Sequence, residues 1–220
     1  MEFPIPLERY KQLQFPLSQR SLTREQKQQL QQNIQLVRDA IIFMTAYANA
    51  KGVGGHTGGP YDIVPEVLIM DAFMRGNPSI SPILYDEAGH RVAIQYVMAA
   101  LDQKKGMTVN HLLHYREHKS GLPGHPELDR KLGVDFSSGR LGHLWGHVNG
   151  VAERLKDKKI ILFGSDGSQQ EGNDAEAARY AVAHNLNVVL LLDDNNVTIE
   201  GHPKEYLPGF DLAKTLQGHG

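Results

Sequence analysis

Ile160-Ile161-Leu162-Phe163-Gly164-Ser165-Asp166-Gly167-Ser168-Gln169-Gln170-Glu171-Gly172 begins as four apolar residues in a row and then breaks into Gly, Ser and Asp. A short all-apolar run bounded by turn residues suits a strand buried on both faces. A second such run, Val188-Val189-Leu190-Leu191-Leu192, leads into Asp193-Asp194-Asn195-Asn196. Between the two, Ala175, Ala178, Ala181 and Val182 recur at helical spacing. Strand, helix and strand in that order predict a βαβ unit with two parallel strands. Asp166 then stands at the carboxyl end of the first strand, and Asn195 at that of the second, 29 positions later. Ligands of open parallel sheets bind outside the carboxyl strand ends, so both oxygen donors are expected in one crevice.

A carboxylate, an amide oxygen and a nearby backbone carbonyl are hard ligands suited to Mg²⁺ or Ca²⁺, with remaining positions left to phosphate oxygens and water. Gly167 lets the backbone approach a phosphate closely, and the helix that follows offers N–H groups at its N-terminus. These residues predict a metal–diphosphate site without specifying the diphosphate.

The order Asp166-Gly167, then Asn195-Asn196, resembles the signature of thiamine-diphosphate enzymes. The fuller strings, Asp166 to Gly172 and Asp193-Asp194-Asn195-Asn196-Val197-Thr198-Ile199-Glu200-Gly201, are similar to transketolases in particular. The resemblance implies an α/β fold with a parallel sheet flanked by helices, of the transketolase diphosphate-binding type. It further implies that Asp166, Asn195 and the Val197 carbonyl hold Mg²⁺ (or Ca²⁺) against thiamine diphosphate, with Gly167 giving its backbone to the diphosphate.

Charge and composition are consistent with such a protein. With 23 Lys and Arg against 25 Asp and Glu, the net charge of −2 gives no argument for nucleic acid. There is no cysteine, hence no disulfide framework and no thiolate metal site. The apolar runs are too short to cross a bilayer and the N-terminus lacks a signal-peptide core, so the chain reads as a soluble cytoplasmic protein without a membrane partner.

Residues 1–22, with Pro4, Pro6 and Pro16, predict an irregular arm across the surface. Thr23 and Gln26 form a capping-box pattern before Leu30, Ile34, Val37, Ile41, Met44 and Ala48, which predict an amphipathic helix. His56 stands within Gly54-Gly55-His56-Thr57-Gly58-Gly59-Pro60, where it either faces a ligand or is solvated. That loop resembles the transketolase Gly-His-x-Gly loop, whose histidine lies in the substrate and cofactor cleft. A helix is expected from Asp62 to Met74, and a second, through Val92, Tyr96, Val97 and Ala100, follows Gly89-His90. In transketolases a Gly-His pair opens the matching helix, and its histidine contacts the diphosphate, which places His90. The strand-like stretch that precedes that pair in the family, of the type Asp-Arg-apolar-apolar-Leu-Ser, is missing here.

Residues 103–120 are polar, and His111, His114 and His118 have the spacing of one helical face, expected to be solvated. Gly121-Leu122-Pro123-Gly124-His125-Pro126-Glu127 is close to the family loop Thr-Pro-Gly-His-Pro-Glu, which implies that His125 contacts the substrate sugar. Leu141, Leu144, Val148, Val151 and Leu155 mark a helical stripe, and Gly142, Gly146 and Gly150 a smooth side. Against the family pattern Gly-x-Leu-Gly-Gln-Gly, Gly139 matches the residue whose carbonyl holds the aminopyrimidine. Leu141 matches the one that packs beside the cofactor rings. His143 stands in place of the usual glutamine and Leu144 in place of glycine, a departure that leaves the substrate open. The imidazoles of His56, His90 and His125, with ordinary pKa values near 6.5, suit proton exchange with sugar hydroxyls.

Glu171 is expected at an interface between cofactor-binding domains, where it supports the activating glutamate of a pyrimidine-binding domain. That domain and its glutamate are not in these 220 residues. The expected organisation is an arm, 1–22, and a diphosphate-binding domain, 23–220, ending after a short helix at Leu212 to Leu216, one strand short of the usual fold. The expected function is therefore two-carbon ketol transfer between sugar phosphates, completed by a pyrimidine-domain subunit in a dimer or heterotetramer. The alternatives are an inactive binding module, or another thiamine-diphosphate enzyme: a deoxyxylulose-phosphate synthase, a phosphoketolase or a 2-oxoacid dehydrogenase α-type chain.

Overall fold

The computed structural model describes residues 2–102 and 106–220; Met1, at the head of the arm, and residues 103–105, at the head of the polar stretch, lie outside the described residues. The chain forms two compact units, Met1–Asn77 with Gly89–Ser137, and Pro78–Ala88 with Ser138–Gly220.

The first unit is helical. Helix α1 (Arg24–Ala50) starts at the expected capping box: the Gln26 N–H donates to Thr23 Oγ1 at 3.1 Å, and the Thr23 N–H donates to Gln26 Oε1 at 2.9 Å. Its stripe of Leu30, Val37, Ile41, Met44 and Ala48 is buried, each large side chain contributing roughly 1.5–3 kcal/mol of apolar transfer. Helices α2 (Gly58–Asp62), α3 (Val64–Gly76) and α4 (Val92–Asp102) pack on it. The arm is irregular apart from one 3-10 turn at Leu7–Arg9, yet Phe15 is fully buried. Its N–H donates to the Ala72 carbonyl at 3.0 Å, and Asn77 Nδ2 donates to its carbonyl at 2.8 Å. A Cβ at Gly76 would lie 2.5 Å from that same carbonyl oxygen, so the close approach requires glycine.

The helical face expected for His111, His114 and His118 does not form. A 3-10 turn spans Val109–His114, and left-handed φ angles of 60° at Arg116 and 63° at Lys119 break the chain direction beyond it. His114 instead pairs with Glu117 at 2.7 Å, and His111 Nδ1 accepts the Thr108 N–H at 3.1 Å.

The second unit is α/β. Strands β1 (Ile80–Asp86), β2 (Lys159–Ser165) and β3 (Val188–Asp193) form a parallel sheet in the order β1-β2-β3. Register runs from Ile160 opposite Val188 to Ser165 opposite Asp193 on one side, and Leu84 opposite Ile161 on the other. Ile160, Ile161, Leu162 and Phe163 of the central strand are buried, as their unbroken apolar run predicts. Helices α5 (Leu144–Arg154) and α6 (Gly172–Ala183) flank the sheet, tied by a 2.9 Å bond from Asn149 Nδ2 to the Ala177 carbonyl. Short helices α7 (Pro203–Tyr206) and α8 (Leu212–Gln217) follow β3.

Strand β1 stands before Gly89-His90 although the family's longer Asp-Arg-apolar-apolar-Leu-Ser stretch is missing there. Ser81 and Pro82 interrupt its apolar run, so no unbroken apolar run marks it in the sequence. In the sheet it is an edge strand whose register slips between Ile80 and Leu84, around that proline. An edge strand needs no ladder donor on its outer side, and proline is tolerated there. Among the described residues no helix is long and apolar enough to cross a membrane.

Candidate functional site

Parallel pairing brings the ends of β2 and β3 together, and the chemistry gathers there. The Asp166 N–H donates to the Asp193 carbonyl at 3.0 Å, which joins the two strand ends. The Asp166 side chain is 4 % exposed; its Oδ1 accepts the Gly167 N–H at 2.8 Å, while no donor reaches the buried Oδ2. Burial pushes this carboxyl above its ordinary range and the Asp194 carboxylate adds to the effect, against the N–H groups of Gly167, Asn196 and Val197. An unsatisfied buried acceptor costs about 1–3 kcal/mol, more when charged. A cation at Oδ2 removes that penalty.

Asn195 and Val197 occupy the turn after β3. Asn195 Oδ1 accepts the Val197 N–H at 2.9 Å and its Nδ2 donates to Asp193 Oδ2 at 3.2 Å, which fixes the amide. Asn196 takes a left-handed φ of 60°, and its side chain accepts the Lys204 N–H at 2.8 Å. A cavity of about 460 Å³ opens beside this turn, lined among others by Asp166, Asp194, Asn196, Lys204 and Lys214. A carboxylate with an unsatisfied oxygen, an amide oxygen and backbone carbonyls form a donor set that fits a hard divalent cation.

The segment before α5 lies against the same loop. A Cβ placed on Gly167 would be 3.4 Å from Thr198 Cγ2 and 3.6 Å from Leu141 Cδ2, so Leu141 covers Gly167. Gly142, at φ +75°, is pressed on Glu171: a Cβ there would lie 2.2 Å from Glu171 Cβ. Leu141 is 37 % exposed, and Gly139 is exposed two residues before it. The second unit thus assembles Asp166, Gly167, Leu141, Glu171, Asn195 and Val197, with Gly139 on the adjoining segment.

The first unit assembles the three histidines. His56 and His90 rings are 5.2 Å apart between centroids, and His125 acts electrostatically on both. His56 and His125 are exposed on their glycine loops, whereas His90 is half-buried. Gly59 makes that packing possible, since a Cβ there would lie 2.9 Å from His90 Nε2. The His125 loop is held by a 2.8 Å bond from the Tyr96 hydroxyl to the Pro123 carbonyl and by Arg116 stacked against Gly124. Burial, then the Arg116 charge, pull His56 below its ordinary value. Burial, then the Arg91 charge, pull His90 down to about 4. Burial thus holds the His90 imidazole toward its neutral, hydrogen-bonding form.

Two buried acids went unassigned on sequence grounds. Glu87 reads as one polar residue before Ala-Gly-His, and Asp174 as an ordinary acid in the first turn of α6. Their burial depends on contacts distant in sequence, which no local pattern announces.

The sequence pattern of the family described as "Transketolase, thiamine diphosphate binding domain" matches residues 35–214. The chain belongs to the transketolase family. It is 29% identical over 204 residues to a transketolase of a Nostoc species, covering 83% of this chain and 30% of that protein. It is also 29% identical over 204 residues to a protein of Actinobacillus succinogenes named as one of the subunits of an apulose-4-phosphate transketolase, covering 87% of this chain and 72% of that one. Among solved structures, transketolase from Campylobacter jejuni superposes with a TM-score of 0.69 at 25% identity, over 86% of this chain and 32% of that chain. A transketolase variant from Pichia stipitis superposes at 0.71 and 24% identity, over 85% and 30%, and shares the fold. The chain thus spans about 30% of the length of the first curated transketolases it matches.

Proposed function

We propose that this transketolase-family chain binds thiamine diphosphate through a divalent cation, Mg²⁺ or Ca²⁺, and takes part in two-carbon ketol transfer between sugar phosphates. Residues 23–220 form the binding domain and 1–22 its arm. The observation that carries this reading is Asp166: a buried carboxylate at the carboxyl end of β2 with one oxygen bonded and the other without a donor.

Asp166 Oδ2, the Asn195 amide oxygen and the Val197 carbonyl would hold the cation. Gly167 leaves its backbone open to the diphosphate, Gly139 orients the pyrimidine and Leu141 packs beside the rings. When bound, the cofactor supplies the reactive carbon that takes a two-carbon unit from a ketose and passes it to an aldose. His90, neutral at pH 7, donates a ring N–H to the diphosphate rather than acting as a cation. His56, also held toward the neutral form, accepts a hydroxyl proton from substrate. His125, on its braced loop, positions the sugar. Glu171 supports the activating glutamate that a pyrimidine-domain partner chain brings.

The likeness to a protein named as one of several subunits favours a heteromer, a dimer or heterotetramer with a pyrimidine-domain chain, over an inactive module or a different thiamine-diphosphate reaction. Calorimetric titration of thiamine diphosphate into the purified chain tests the binding. The expected result is a binding heat with Mg²⁺ that disappears in EDTA. A folded chain that stays silent with Mg²⁺, alone and with a pyrimidine-domain chain added, refutes the proposal.

A further inference from the structure

Two buried acids of the second unit have no part in the scheme above. Glu87 follows β1 and is fully buried, and Asp174 in the first turn of α6 is 1 % exposed. Glu87 Oε1 accepts the N–H groups of Leu144 at 3.1 Å and Trp145 at 3.3 Å, the first residues of α5. The residue at the helix cap, His143, makes no side-chain bond to the helix amides, so Glu87 caps α5 from a distant strand end. Asp174 Oδ2 accepts Gln169 Nε2 at 2.7 Å. The remaining oxygens, Glu87 Oε2 and Asp174 Oδ1, are buried and have no donor in hydrogen-bonding geometry. The two side chains lie within hydrogen-bonding reach of each other. Two carboxylates so placed cannot both stay charged. One proton between them gives each oxygen a partner.

We propose that Glu87 and Asp174 share a single proton, and that this pair positions two segments around the cofactor, residues 139–145 through Glu87 and residues 166–171 through Asp174. The positioning half rests on the cofactor reading above; the shared proton does not. Burial pushes the Glu87 carboxyl up as well, but the Asp174 hydroxyl and the α5 amides of Trp145 and Leu144 oppose that rise, so Glu87 is the partner that keeps the negative charge. Asp174 carries the proton: burial first, then the Glu87 charge, push its pKa up to about 9. Asp86 beside Glu87 and Glu171 beside Asp174 are carboxylates that reinforce proton retention, while the Ser168 hydroxyl opposes it. His143 is turned to Asn173, 3.4 Å away. The consequence is a clamp: Ser168 also bonds the Ser165 N–H and carbonyl, each at 3.0 Å, so the Asp174 end reaches the turn that carries Asp166.

The test uses the full chain and the variants Asp174→Asn, Glu87→Gln and Asp174→Ala. Between the unfolded Asp value near 3.9 and the native value, the folded chain holds one more proton than the unfolded one. Stability is then fully present at low pH and is lost as pH rises through that window. Urea unfolding from pH 5 to 8 should show the wild-type folding constant falling, relative to Asp174→Asn, about tenfold per pH unit. Glu87→Gln, whose amide supplies the missing hydrogen, should be as flat as Asp174→Asn. Parallel pH profiles for wild type and both amides overturn the shared proton. A buried protonated carboxyl also has its own infrared C=O band in wild type at pH 7, and its absence overturns the proposal even where no variant folds.

For positioning, the affinity for thiamine diphosphate with Mg²⁺ should fall tenfold or more in Asp174→Ala and return to within threefold of wild type in Asp174→Asn. Equal affinities in all three overturn the positioning half. A wild-type chain that binds no cofactor, alone and with a pyrimidine-domain chain added, defeats the functional reading instead, while the unfolding arm still decides the proton.

Discussion

Gly142→Ala tests the packing on which the candidate site depends. Gly142 has φ +75°, where a side chain costs about 1–2 kcal/mol. Its new Cβ would lie 2.2 Å from Glu171 Cβ and 2.6 Å from Glu171 Cγ. A Cβ cannot swing away by rotating a side-chain bond, so the backbone before α5 or at the start of α6 must move, and such overpacking costs about 1–3 kcal/mol. The expected loss is therefore about 2–5 kcal/mol of a total stability of roughly 5–15 kcal/mol. Gly150→Ala is the control. It lies in the interior of the same α5, and a Cβ there meets nothing within 4 Å. It should stabilise by about 0.5–1 kcal/mol, the helix-propensity gain of alanine over glycine. Urea denaturation followed by circular dichroism reads both signs. The separated segments also carry Leu141 and Glu171, so Gly142→Ala should weaken binding of thiamine diphosphate with Mg²⁺ while Gly150→Ala leaves it unchanged. A Gly142→Ala chain within about 0.5 kcal/mol of wild type refutes the packing of residues 139–143 on Glu171, since that is the range of inconsequential surface changes.

Asp166→Asn keeps size and removes the charge aimed at the cation. The calorimetric heat for thiamine diphosphate with Mg²⁺ should vanish while the melting temperature does not fall, because a buried, partly unsatisfied carboxylate has been replaced by a neutral group. A retained heat would move the cation elsewhere. The His90 ring, followed by NMR, should titrate at about 4. Between that value and the unfolded value near 6.5 the native chain binds fewer protons, so this contribution to stability is present above the window and is lost as pH falls through it. His90→Gln should accordingly lose less stability than wild type from pH 6.5 to pH 5. Phe15→Ala should cost about 3–5 kcal/mol in urea unfolding, because Phe15 is fully buried and anchors the arm on α3; a negligible effect would make the arm dispensable to the first unit.

What was legible in sequence was whatever local pattern determines. The unbroken apolar runs at Ile160 and Val188 can be satisfied only by burial, and the Gly-Asp and Asn-Asn turns follow them directly, so β2, β3 and the places of Asp166 and Asn195 just beyond their carboxyl ends read straight off the chain. Thr23 and Gln26 are three residues apart and settle their cap between themselves. Strand β1 escaped because its pairing with β2 overrides an interior Ser-Pro, and that permission comes from its place at the sheet edge. The face predicted for His111, His114 and His118 failed because spacing counts as a helical face only while the helix continues, and Arg116 ends that condition. The lowered pKa of His90 was equally hidden, since its cover comes from Gly59 and Arg91, one of them distant in the chain.

The departure at His143 and Leu144 now has a local physical context. Those residues form the start of α5, and the N–H groups there are bonded not by His143 but by Glu87. A helix whose first amides are held by a buried carboxylate does not need its cap residue to hold them, so position 143 is free to turn its imidazole toward Asn173. Leu144 is buried, which suits a residue whose backbone faces Glu87 and whose side chain faces the core. The change therefore stops at the helix start. Leu141 and Gly142 lie before it, and their packing on Gly167 and Glu171 depends on glycine geometry that neither His143 nor Leu144 alters. On these grounds Leu144→Gly, which places a glycine where the resemblance has one, should destabilise the second unit by removing a buried side chain, about 3–6 kcal/mol with the added glycine cost. Urea unfolding measures it, and a stability equal to wild type would mean that the Glu87 cap and the buried leucine are not coupled parts of one helix start.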